Sequence, residues 1–303
     1  MMVDPSQSDA DVPEAADADC GESCCCCGGL LGGLIQPSDT CFTDFVSPMT
    51  NPVFFEDPRT LTEARVIFIN HWLPNALGGG DVKVLAVQAR AALTDRLSIV
   101  AAKDGYIFAD ANAPLNAVLN DGWADISVGL KYNLLADPCC GRIVSTGFAY
   151  ELASGSRAAL QGNGNGEFHV YLTAGQRVGC NGHVLSATGF RLPVDTNAEN
   201  QVWYWSNHAD YHLGCGVYAV AEANWYHFMS SGTTGGAFNG VQGGDLFNFG
   251  STNVTNTDIV TGALGVKLKP CDTREIGVAW ETHLSDTRGV LKDRLTVDYI
   301  LRY

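Results

Sequence analysis

The feature that most narrows what this chain can become is an alternation of apolar and polar side chains with a period of two. It is sustained over ten or more residues and repeats along most of the 303-residue sequence. It is plainest at the end, in RLTVDYILRY. Leu295, Val297, Tyr299, Leu301 and Tyr303 fall on one face, while Arg294, Thr296, Asp298 and Arg302, interrupted by Ile300, fall on the other. Successive side chains of a strand point to opposite sides of its sheet, so each such segment separates two environments. In residues 126–134, Ile126, Val128, Leu130, Tyr132 and Leu134 alternate with Ser127, Gly129, Lys131 and Asn133. Val144, Thr146, Phe148, Tyr150 and Leu152 likewise oppose Ser145, Gly147, Ala149 and Glu151, and Val217, Ala219, Ala221, Ala223 and Trp225 oppose Glu222, Asn224 and Tyr226. Residues 61–71 and 183–192 alternate poorly, and their faces stay unassigned.

About twelve segments read as strands: 61–71, 82–93, 96–108, 122–135, 142–153, 167–177, 183–192, 201–213, 216–228, 257–268, 274–283 and 291–303. Globular strands favour about five or six residues, whereas a tilted strand crossing a bilayer needs about nine to eleven. The links alternate between short (near 94–96, 136–141, 177–182, 214–216, 270–274) and long (73–80, 109–121, 155–166, 193–200, 229–256, 285–290). Antiparallel hairpins gather the short links on one rim and the long ones on the other, the signature of outer-membrane barrels. The expected fold is all-β: an antiparallel transmembrane β-barrel of about 12 strands over residues 60–303, with short periplasmic turns and long external loops. An acidic, Cys-rich, largely irregular periplasmic leader is expected over 1–59. No stretch approaches the roughly 18 to 20 apolar residues of a membrane helix.

The net charge of -15 is unevenly placed, since residues 1–58 hold eleven Asp or Glu and no Lys or Arg, leaving 22 acidic and 18 basic residues from Arg59 onward. The acidic start reads as unstructured, and no basic surface offers itself to nucleic acid. MMVDPSQ has neither the basic nor the apolar region of a secretory signal, so an exported chain is expected to have lost its signal or to start elsewhere.

A charged face on nearly every strand cannot be a packed soluble core, because burying so many unpaired charges would be prohibitively costly. A hydrated lumen inside and lipid outside is the expectation. Tyr132, Tyr299 and Tyr303 near the short-turn rim, and Trp123, Trp203, Trp205 and Trp225 near the long-loop rim, read as two interfacial girdles. Expected to line the lumen are Arg90, Asp125, Lys131, Glu151, His169, His208, Asp210, His212, Glu222, Lys267, Glu281, Arg294, Asp298 and Arg302. Opposed charges across a narrow pore select small polar or charged solutes. The expected function is an outer-membrane channel or uptake porin passing small molecules through a narrow, mixed-charge lumen, as a monomer with neither enzyme activity nor cofactor. The alternative is a closed structural or adhesion barrel with functional external loops. The Gly-rich composition of 229–256 favours a disordered external loop; an inward-folded constriction or plug is the other arrangement.

Eleven cysteines divide between the leader (Cys20, Cys24, Cys25, Cys26, Cys27, Cys41) and the short turns (Cys139, Cys140, Cys180, Cys215, Cys271), all at the periplasmic end. In an oxidising compartment, disulfides tying leader to turns are the first expectation; a thiolate metal site and unpaired or intermolecular thiols are the others. His208, Asp210 and His212 share a face with Tyr204 and Ser206, a spacing that suits either a cation or plain lumen lining, and the lining is preferred, with no metal expected. Ser206 and His208, two apart on a strand, stand about 7 Å apart, too far for a nucleophile and its base.

The C-terminal alternation ending in Tyr303 resembles the recognition signal by which bacterial outer-membrane barrels engage their assembly machinery. GWADISVGLKYNLL, after a small Ala/Asn-rich loop, is similar to a motif of the transporter-like, phenol-degradation-associated barrels. The resemblance implies an outer-membrane protein of a Gram-negative-type envelope whose partners are lipid, the assembly machinery and small-molecule solutes. The Cys-rich leader departs from that group.

Overall fold

In the structure, a computed structural model that describes residues 30–285 and 289–303, the alternating segments form one antiparallel sheet closed on itself. Its strands are β1 (Glu63–Trp72), β2 (Gly80–Ala92), β3 (Leu97–Lys103), β4 (Tyr106–Ala111), β5 (Gly122–Trp123), β6 (Ile126–Asp137) and β7 (Arg142–Leu152). There follow β8 (Glu167–Val178), β9 (Gly182–Pro193), β10 (Val202–Gly214), β11 (Val217–Phe228), β12 (Thr257–Cys271), β13 (Arg274–His283) and β14 (Asp293–Arg302). β3 and β4 lie end to end along β2, and β6 and β5 pair with them in turn. Each of those couples is one interrupted stave, so the barrel has twelve, and β1 closes it by pairing with both β14 and β2. The interruption between β3 and β4 has a local cause. Gly105 takes φ +113°, open to glycine at no steric cost, and Asp104 Oδ1 accepts the Val87 N–H at 2.8 Å in place of a ladder carbonyl.

Burial follows the predicted parity. On β6, Ile126, Val128, Leu130, Tyr132 and Leu134 are 36–50% exposed while Ser127, Lys131 and Asn133 are buried. The same apolar face is exposed on the other staves, from Val66 and Phe68 round to Val278 and Leu301. A continuous apolar band around a closed wall requires lipid against it. The two poorly alternating strands also resolve: β1 turns Glu63, Arg65, Ile67, Ile69 and His71 inward, and β9 turns His183, Leu185, Ala187 and Arg191 inward.

Those inward isoleucines and leucine mark what the barrel contains. The interior is packed, by chain from two directions. Residues 42–59, ahead of β1, run inside the wall with Phe42, Phe45, Val46, Met49, Phe54 and Phe55 buried. Their aromatic rings pack on Ile143, Tyr171, Leu185, Ala187 and Tyr204. From the long-loop rim, the loop between β11 and β12 folds inward, which corrects the expectation of a disordered external loop over 229–256. Its Phe238, Leu246, Phe247 and Phe249 cluster with Ile67, Ile69, Val82, Val84 and Ile107. Burying four apolar side chains, each contributing about 1.5–3 kcal/mol, offsets the ordering of a Gly-rich segment. Residues 1–29, with Cys20 and Cys24–Cys27, lie outside the described residues.

Candidate functional site in the barrel interior

The expected lumen-lining residues point inward. Arg90, Asp125, Lys131, Glu151, His169, His208, Asp210, Glu222, Lys267, Glu281, Arg294 and Asp298 are all buried, and the Arg302 side chain is only 4% exposed. His212 is the exception. Beyond it the β10 register shifts, and its ring stacks on Tyr218 at 4.7 Å near the short-turn rim, with Nε2 accepting the Gly216 N–H at 3.3 Å. His212 is thus only half-buried, and among the described residues no group of three or more His, Cys, Asp or Glu is placed to hold a metal ion.

The charges are not solvated singly; they are threaded into alternating chains. The longest runs Lys131–Glu56–Arg90–Glu63–Arg302–Glu275–Lys267–Asp298–Arg65, with every link between 2.5 and 3.2 Å. Eight of these nine side chains belong to wall strands, and one, Glu56, to the segment inside. Burial acts to raise the Glu56 carboxyl, but Arg90 and Lys131 hold it down at about 2. A second chain runs Arg177–Asp44–His183–Asp210–His208–Glu222. Burial likewise pushes Asp44 up, and hydrogen bonds from His183 and Arg177 outweigh it, leaving the carboxyl well below the usual carboxylate range. Glu222 then closes back on the inner segment, accepting the N–H groups of Met49 and Thr50 at 2.7 and 2.6 Å and the Thr50 hydroxyl at 2.5 Å.

The inner segment, here called the plug, is held by wall side chains that reach its carbonyl groups. Lys131 donates to Asp57 O (2.6 Å), Thr173 to Glu56 O (2.7 Å), Ser145 to Pro58 O (2.5 Å), Gln88 to Pro52 O (2.7 Å) and Tyr204 to Phe54 O (2.8 Å). No backbone ladder joins residues 40–59 to the wall. Small residues on the wall make room: a Cβ at Gly147 would stand 2.4 Å from Tyr171 Oη, and one at Gly189 2.8 Å from Tyr204 Oη. Toward the long-loop rim, the inward loop is fixed by Arg294 to Asp245 (2.6 and 2.9 Å), Arg191 to Gly244 O (2.9 Å) and Asn248 to Glu167 (3.0 Å). Lys103 pairs with Glu151, and Asp125 accepts the N–H groups of Gly155 and Gly162. His169 meets the Tyr204 hydroxyl at 2.8 Å.

Gaps within this filling are small. One of about 30 Å³ lies beside Gln88, Lys103 and Ile67, and one of about 10 Å³ beside His71 and Arg294, room for about one or two waters each at most. A wider recess of about 120 Å³ opens at the short-turn rim among Asp39, Arg59, Lys269 and Arg302.

Cys41, Cys139, Cys140, Cys180, Cys215 and Cys271 are all exposed at the short-turn end; the leader cysteines expected to pair with them, Cys20 and Cys24–Cys27, lie outside the described residues. The plug was missed on the assumption of a wet lumen. A signal existed: four phenylalanines in Cys41–Phe55 are out of keeping with a disordered acidic tail.

A closed twelve-stave wall, an apolar outer belt and a charged inner face define the class: a transmembrane β-barrel with the fold of outer-membrane barrels. A solved channel shares that fold. The COG4313 outer membrane channel from Pseudomonas putida F1 superposes with a TM-score of 0.58 at 13% identity, over 86% of this chain and 100% of that one. The KdgM porin gives 0.47 at 11% identity, over 79% and 99%, and the translocator domain of the autotransporter NalP from Neisseria meningitidis 0.45 at 10%, over 80% and 87%. No family model and no curated protein sequence matched the chain.

Proposed function

We propose that this chain is an outer-membrane channel for small solutes, whose narrow, mixed-charge lumen is closed in the present conformation by its own N-terminal plug and by the loop between β11 and β12. One observation carries the reading. The plug fills the lumen without sharing a hydrogen-bonded ladder with the wall, so it can leave while every inter-strand bond of the barrel stays made. The likeness to the COG4313 outer membrane channel supports it. Transport by size and charge, without catalysis, is favoured because Ser206 is bonded to Asn51 at 2.8 Å and both ring nitrogens of His208 face carboxylates. The lining residues named above are the proposed selectivity elements, the C-terminal strand the proposed contact with the assembly machinery, and a monomer the proposed state.

The second reading, a closed structural or adhesion barrel, draws on the sealing of the lumen by ion pairs. Planar-bilayer recording separates the two. The channel reading expects brief openings from the full chain and a sustained current from a variant lacking both residues 42–59 and the inward segment 236–250 of the β11–β12 loop, whose folding is verified by heat-modifiable gel mobility. No current from either folded protein would favour the closed barrel.

A further inference from the structure

We infer that Arg90 and Lys131 form a carboxylate-binding subsite on the lumen wall, that the plug's Glu56 occupies it as a built-in ligand, and that the solutes taken are small organic carboxylates. The inference rests on the channel reading, because only a plug that moves aside vacates the site.

The geometry is that of anion recognition. Arg90 Nε and Nη2 donate to the two oxygens of Glu56 at 2.8 and 2.6 Å, and Lys131 Nζ adds a third bond at 2.8 Å. A planar guanidinium fork on a planar carboxylate is the most selective charged pair that side chains make. Both cations come from the wall, on β2 and β6, and their anion comes from a segment that is not part of it. Within the long alternating chain the wall supplies five cations and three carboxylates, and Glu56 is the fourth. When the plug withdraws, Arg90 keeps Glu63. Lys131 keeps no partner, since its other bond is to the plug carbonyl of Asp57. Water entering the opened lumen solvates the Lys131 ammonium but leaves two wall cations with one wall carboxylate between them, so an entering carboxylate restores the pairing that the plug supplied. Glu63, 2.9 Å from Arg90 Nη1, repels a second negative charge and so favours a monoanionic carboxylate over a phosphate dianion. Plug and solute are then mutually exclusive occupants, and the solute itself favours the open state.

The test uses the full chain with Glu56→Ala, which removes the equivalent of acetate. Calorimetric titration of the folded, detergent-solubilised variant with sodium acetate is expected to show saturable binding that the unaltered chain lacks. Adding Lys131→Gln should weaken it roughly ten- to hundredfold, the worth of a charged hydrogen bond. In bilayers the variant's chloride current should fall as acetate saturates. If Glu56→Ala does not fold, Glu56→Gln keeps the shape, and its reversal potential in a salt gradient should shift toward chloride. A folded variant that conducts but shows no acetate binding, or no chloride shift, overturns the inference and leaves the channel reading standing. Acetate binding without conductance supports the subsite, and it is the channel reading that then fails. Inorganic phosphate binding as tightly as acetate overturns the carboxylate assignment.

Discussion

Glu222 anchors the middle of the plug to the barrel, and replacing it with alanine should loosen the plug without disturbing the wall. Its carboxylate accepts from Met49 N, Thr50 N, Thr50 Oγ1 and His208 Nδ1, all within 2.7 Å. The truncation leaves two backbone N–H groups, the Thr50 hydroxyl and an imidazole without their acceptor in a buried place. Each such group costs about 1–3 kcal/mol, and because the donors share one acceptor the costs do not simply add. Removing one member of a buried ionic pair costs about 3–5 kcal/mol in total. The Cα of Glu222 and its ladder to Ala263 and His208 are unchanged, so that cost falls on the docked plug. The undocked population should rise about a hundredfold or more, at 1.4 kcal/mol per factor of ten. Limited chymotrypsin digestion reads this directly, since Phe42, Phe45, Phe54 and Phe55 are at most 2% exposed while docked and cleavage tracks the open population when reclosing is fast. Glu222→Ala should be cut at these phenylalanines about a hundred times faster, with the barrel fragment intact. Equal protection in both proteins would show that the Glu222 contacts do not hold the plug.

Two further outcomes follow from groups outside the membrane-spanning strands. Glu199, in the loop before β10, is buried with its Oε2 unpartnered, and burial together with nearby Glu167 pushes its carboxyl up to about 8. The folded protein thus binds a proton there that the unfolded chain has lost. This group's contribution to stability is full below its ordinary value of 4.5 and falls as pH rises toward about 8. Glu199→Gln should flatten that slope and raise the unfolding temperature at pH 8.5, by an amount equivalent to about 1–3 kcal/mol; an unchanged melting profile across that range would contradict it. At the short-turn rim, the hydrogen bond and charge of Asp137 push the Cys140 thiol up, lowering its thiolate fraction at neutral pH. Asp137→Asn should accelerate alkylation of Cys140, followed by peptide mass mapping, and an unaltered rate would refute the assignment.

The wall was legible because lipid imposes a rule that the sequence must obey at each residue. Every second side chain from Ile126 to Leu134 had to be apolar, whatever lay inside. The inner face carries no such rule. β1 and β9 resisted assignment because Ile67, Ile69, Leu185 and Ala187 face aromatic side chains from the plug and the loop, and the alternation vanishes where both sides are apolar. The expectation of water inside came from counting charges one strand at a time. Lys131 and Glu56 are 75 residues apart, and Glu222 lies more than 170 from Met49 and Thr50, so the partners that make those charges tolerable in a dry interior are invisible to local pattern. The acidic bias before Arg59 was itself a trace of this: Asp44, Glu56 and Asp57 are the counter-ions of wall and plug cations rather than part of a solvated tail.

The central claim is that the barrel's charged face is a packed interior completed by residues 42–59. Amide hydrogen exchange of the full chain in lipid nanodiscs, read by mass spectrometry, measures it most directly. The account predicts that the Met49 and Thr50 amides, donated to Glu222, exchange on the slow timescale of strand amides in β10 and β11. Exchange of that peptide at the rate of a solvated coil, with the strands protected, would contradict it.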